Sequence, residues 1–137
     1  MQWNETYGGT GWDEAASVVQ SSDGGYVLAG RTDQQGYPDA WVVKVDSDGH
    51  SQWKKTYGGS NVDFAFSVIE TSDLGYAFVG STYSCGAGGS DAWFVKMNAD
   101  AESNLAWTDC DVNTITLHRG AGDICWNYVR IQIYKQR

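Results

Sequence analysis

The chain has 137 residues, 17 of them glycine and only one proline, with aromatics at 14% and a formal net charge of −8. That length allows one domain with a real core, and no apolar run approaches the ~18 residues of a membrane-spanning helix. An acidic body repels phosphate backbones, so no nucleic-acid partner is expected.

The first residues, Met1-Gln2-Trp3-Asn4-Glu5, lack the basic and then apolar order of a secretion signal, so the expectation is that the sequence begins at a mature start or belongs to a cytoplasmic chain. Strands are predicted over 15–20 and 26–32, separated by Ser21-Ser22-Asp23-Gly24-Gly25, a hairpin turn in which glycine supplies positive φ at little cost. A third strand is predicted over 40–46. Alternation places Trp41, Val43 and Val45 on one face and Ala40, Val42 and Lys44 on the other. The turn Asp46-Ser47-Asp48-Gly49 leads into a fourth strand over 51–57. No segment carries a sustained 3.6-residue apolar period, and Tyr26-Val27-Leu28-Ala29 is apolar on both faces. The expected unit is four antiparallel strands with both faces buried.

That unit repeats. A shift of fifty residues lays Trp3-x-x-Thr6-Tyr7-Gly8-Gly9 on Trp53-x-x-Thr56-Tyr57-Gly58-Gly59, and Asp23-x-Gly25-Tyr26 on Asp73-x-Gly75-Tyr76. After a two-residue insertion, Asp39-Ala40-Trp41-x-Val43-Lys44 falls on Asp91-Ala92-Trp93-x-Val95-Lys96, and more than half of the compared positions are identical. The expected organisation is repeat 1 at 3–52, repeat 2 at 53–106 and a divergent cap of two strands at 107–137. Trp107 opens the cap, and residues 114–119 and 125–134 supply its strands. The cap is also basic, with Arg119, Arg130, Lys135 and Arg137 against Asp123 alone: a solvated strand side, a dock for an acidic neighbour, or a small anion patch.

Four short strands in about fifty residues, apolar on both faces, describe a β-propeller blade. A flat sandwich would leave one wet face per strand. The tryptophan closing each unit suits packing between one sheet and the next. The fold class expected is therefore all-β, with four-stranded antiparallel blades, about two and a half per chain. A propeller closes with at least about four blades, so the ring or chain would be completed by other copies, or by further units if this sequence is a piece of a longer protein.

The pattern Trp-x-x-Thr-Tyr-Gly-Gly…Asp-Gly-Gly-Tyr…Asp-Ala-Trp-x-Val-Lys over residues 3–107 resembles the β-propeller repeats of large secreted or surface proteins of archaea and bacteria. Asp46-x-Asp48-Gly49-x-x-x-Trp53 is also similar to the tryptophan-docking turn of quinoprotein-type propellers, and the tail resembles a carboxy-terminal segment of archaeal surface proteins. The resemblance implies an extracellular or cell-surface, non-enzymatic module. Such a module would assemble with itself by ring formation or by strand exchange through residues 1–7 and the C-terminal strands.

Chemistry-bearing patterns are sparse. His50 and His118 have no nucleophile at a recognisable spacing, and no Walker, HExxH, GxSxG or dinucleotide fingerprint is present. Neither enzyme activity nor a cofactor is expected. Asp46-x-Asp48-Gly49 starts like a calcium loop but lacks the remaining ligands, which leaves it a turn. Blade order gathers Trp12, Asp13, Tyr37 and Asp39 in the first unit and Asn61, Asp63, Tyr83 and Asp91 in the second on one loop face. Aromatic rings beside carboxylates suit a glycan, which makes a lectin the alternative function. The competing reading is that the repeated aspartates cap turn amides. Cys110 and Cys125 flank a segment able to fold back and form a disulfide, which leaves Cys85 over.

Overall fold

In a computed structural model, residues 3–33 and 36–100 are described. They form seven strands: β1 (Asp13–Gln20), β2 (Tyr26–Thr32), β3 (Asp39–Val45), β4 (Ser51–Tyr57), β5 (Asp63–Glu70), β6 (Tyr76–Thr82) and β7 (Asp91–Met97). No helix occurs among the described residues, and none is long and apolar enough to cross a membrane. The chain is all-β, with a four-stranded sheet in the order β1-β2-β3-β4 and a three-stranded sheet in the order β5-β6-β7. Every pairing is antiparallel.

The repeat in sequence is a repeat in register. Asp13, Thr32 and Asp39 form one cross-strand row, as do Asp63, Thr82 and Asp91. Both first strands break register at the same place, between Ala15 and Ser17 and between Ala65 and Ser67, so each sheet carries the same bulge. The hairpin turns match as well. Gly24 donates its amide to Ser21 O at 2.9 Å with φ +86°, and Leu74 makes the same bond to Thr71 O with φ +63°.

An equivalent ion pair in each unit ties turn to sheet. Lys44 Nζ lies 2.8 Å from Asp23 and donates to Val45 O; Lys96 Nζ lies 2.8 Å from Asp73 and donates to Met97 O. The first lysine is buried at 3% exposure, and its single charge is matched by Asp23. Burying that cation without a partner would be costly.

The two sheets pack face to face. Val27, Ala29, Ala40 and Val42 of the first sheet meet Ala65, Val68, Tyr76, Phe78, Trp93 and Val95 of the second in one buried cluster. The register puts Ala40, Val42 and Lys44 on the face toward the second sheet and Trp41, Val43 and Val45 on the other, as alternation predicts. Trp53 leaves β4 to meet Tyr76 of the next sheet, with ring centroids 6.0 Å apart. Trp3 meets Tyr26 at the same 6.0 Å, and Tyr7 Oη donates to Gly49 O at 2.6 Å. Residues 3–7 thus lie against the first sheet as β4 lies against the second.

The expectation that both faces of each sheet are dry holds at this junction and fails at the ends. On the far face of the second sheet, Ile69, Val79 and Phe94 are 55%, 46% and 50% exposed. On the far face of the first, Val18 is 62% exposed. Trp41, Val43 and Val45 on that same far face are nevertheless buried, packed with Tyr7, Tyr26 and Leu28, so exposure there falls on β1, whereas on the second sheet it reaches β5, β6 and β7. The predicted cap at 107–137 and the expected Cys110–Cys125 link lie outside the described residues. Cys85, which that link would leave over, is buried and disulfide-bonded.

Candidate functional site

The loops at one end of the two sheets carry all eight residues singled out from the sequence. Backbone bonds hold these loops together: Asp33 N donates to Trp12 O, Tyr83 N to Val62 O, and Asp63 N crosses between the sheets to Pro38 O at 2.8 Å. Clustering on one loop face follows from the equal strand lengths and the shared register.

Within that face the residues divide into two kinds. Trp12, Tyr37 and Tyr83 are exposed, and Asn61 is exposed with its amide donating to Ser84 Oγ. The aspartates turn inward to the backbone. Asp13 accepts Gly9 N at 2.7 Å and Thr32 Oγ1 at 2.5 Å, and these bonds hold its carboxyl below the usual range. Asp91 accepts Ala87 N at 3.0 Å. Asp63 accepts Gly59 N at 3.1 Å and Ser84 Oγ at 2.6 Å through the same oxygen. Three of the four aspartates therefore brace a turn.

Asp39 differs. Its Oδ1 is buried and has no hydrogen-bond partner among the described residues, and Asp63 Oδ1 shares that condition. The two carboxylates converge on Gly58, the residue that carries the chain from β4 toward β5. A Cβ there would collide with Asp39 Oδ1 and stand 2.7 Å from Asp63 Oδ2. Only glycine fits this close approach. Burial first, and the negative charge of Asp63 second, push the Asp39 carboxyl up to about 6.

At the opposite end of the junction lies a contact that the sequence did not announce. Glu70, closing β5, accepts Ser22 N at 3.0 Å and the hydroxyls of Ser21 and Ser22, while Ser21 Oγ and Tyr76 Oη share a hydrogen bond of 2.7 Å. The repeat-equivalent of Glu70 is Gln20, so the identity pattern hides the contact. Asp46, Asp48 and His50 bring ligand atoms within 4.8 Å of one another, but Asp46 Oδ1 already accepts the amides of Asp48 and His50 as a turn does.

These features define the class as an all-β repeat protein of face-packed antiparallel sheets whose junction is an apolar core with polar contacts at its ends. No family model matches this chain, and no curated protein matches it.

Proposed function

We propose that the chain is a non-enzymatic assembly module whose sheets are β-propeller blades and whose open faces dock on further copies. The carrying observation is a difference in burial between repeat-equivalent residues. Ala29 and Val42 are 1% and 0% exposed under the second sheet, whereas their equivalents Val79 and Phe94 are 46% and 50% exposed. On the other side, Val68 is 4% exposed at the junction and its equivalent Val18 is 62% exposed. The far face of the second sheet thus repeats the surface that the first sheet buries, and the far face of the first repeats the surface that covers it. A head-to-tail contact between copies reuses the internal junction, and such heterologous contacts build rings or open arrays.

The sequence of residues 3–7 supports the same reading, because it is a fourth-strand sequence placed against a sheet with no sheet of its own among the described residues. The repeat resembles those of secreted or surface proteins, which supports an extracellular or surface setting for the module. Mass measurement in solution tests the proposal. The chain runs as a defined oligomer or a concentration-dependent series, and Phe94→Glu, on an exposed position, shifts it to the monomer. A monomer at all concentrations, or an assembly indifferent to Phe94→Glu, overturns it.

The exposed rings of Trp12, Tyr37 and Tyr83 at the loop end of the sheets favour a second reading, a lectin whose loop face stacks on sugars. Glycan-array binding lost in Trp12→Ala promotes it; a blank array removes it.

A further inference from the structure

We infer that residues 107–111 run beside β7 as the fourth strand of the second sheet, and that Cys110 in this strand is the disulfide partner of Cys85. The inference goes beyond assembly and does not depend on it, because strand and disulfide belong to one chain.

Cys85 is buried and disulfide-bonded, and the chain has two other cysteines, Cys110 and Cys125. Both follow β7 in sequence, so the bond brings part of the chain beyond Met97 back to the loop between β6 and β7. The returning segment has an edge to meet. β3 is paired on both sides, by β2 and β4, whereas among the described residues β7 is paired on one side, by β6. A free strand edge presents a row of backbone donors and acceptors that a further strand satisfies.

The repeat decides which residues return and in what register. A shift of 54 residues lays Trp107 on Trp53 and Cys110 on Thr56. In the first sheet Trp53 stands opposite Lys44, and Thr56 opposite Trp41. Lys96 and Trp93 hold those places in β7. Trp107 therefore falls opposite Lys96, and Cys110 opposite Trp93.

That register puts Cys110 on the same face and at the same end of the sheet as Cys85. Directly opposed residues share a face. Trp93 belongs to the buried cluster between the sheets, and so does Cys85. The Cys85 amide donates to Thr82 Oγ1 at 3.0 Å, where β6 ends, and β7 begins at Asp91, two residues before Trp93. A disulfide needs its Cα atoms within about 7 Å of each other, which this placement favours. Cys125 has no counterpart position in the repeat, so no register brings it there. Formation of the bond joins Cys85 Sγ to Cys110 Sγ. The two thiol hydrogens and their electrons pass to a disulfide oxidant, which leaves as two thiols.

The test uses the full chain, with free thiols alkylated and the protein digested without reduction. Trypsin, cutting after Lys55, Lys96, Arg119 and Arg130, leaves each cysteine on its own peptide. Mass spectrometry is expected to find peptide 56–96 linked to peptide 97–119, the pair lost on reduction, and Cys125 alkylated. A link from Cys125 to either other cysteine, or an alkylated Cys85, overturns the proposal. The strand is read separately, from nuclear Overhauser contacts in a mixture of isotope-labelled and unlabelled copies. Contacts from Trp107 to Lys96 within one copy are expected. Their absence, or contacts to Lys96 from Trp3 of a second copy, equally overturns the proposal. A chain that stays monomeric still carries both features, so failure of assembly and failure of this inference are told apart.

Discussion

Leu74 adopts a left-handed conformation that its repeat partner Gly24 adopts freely. A side chain costs about 1 kcal/mol there, and glycine returns part of that gain by loosening the unfolded chain. Leu74 is 59% exposed, so its removal loses little packing. Leu74→Gly is expected to stabilise the protein by roughly 0.5 kcal/mol, read as a higher urea midpoint. Asp39 and Asp23 make opposite demands on pH. Asp39, raised to about 6, binds its proton more tightly in the folded chain, so stability falls as pH rises from the ordinary carboxylate range through about 6. Asp23 is lowered to about 2, mainly by its hydrogen bond from Lys44; its contribution is present above the ordinary range and is lost as pH falls toward about 2. The two effects together are expected to place maximum stability near pH 4, where Asp23 is ionised and Asp39 still keeps its proton in the folded chain. Asp39→Asn should flatten the neutral side by on the order of 1 kcal/mol, discounted for the residue's partial exposure, in Tm measured against pH.

The strands follow from alternation, and their ends follow from turn chemistry. The predicted bounds 26–32 and 51–57 coincide with β2 and β4, while β1 begins two residues earlier than expected, at Asp13. Nothing apolar marks that extension; it exists because Asp13 pairs with Thr32 across the bulge. The tryptophan between units is visible in sequence as a repeated residue, and its partner Tyr76 is visible as another. Trp53→Ala removes the ring that bridges the sheets, and the expected cost is about 3 kcal/mol by denaturant unfolding. Trp3→Ala, at a ring 38% exposed, should cost about 1 kcal/mol. An equal loss at both sites would contradict the unequal burial.

The junction that joins the sheets was only half written in the repeat. Identity between units marks the strands, turns and capping aspartates, because each unit meets the same local demands. It cannot mark Glu70 against Ser21 and Ser22, or Asp39 against Asp63, since these are contacts between units whose positions are 48 or 24 residues apart. The open faces also escape a periodic reading. Val79 and Phe94 are as apolar as Ala29 and Val42, and only the arrangement of two sheets reveals which pair is covered. Val79→Glu together with Phe94→Glu should leave the far-ultraviolet spectrum of the sheets unchanged while abolishing self-association in sedimentation. Local physical chemistry, acting over a turn or a strand, was enough to specify an all-β chain with duplicated hairpins and buried alternation. Which side chains of one unit meet those of the next, and which apolar faces remain in water, depended on how two sheets stack, because burial is a property of neighbours brought together in space.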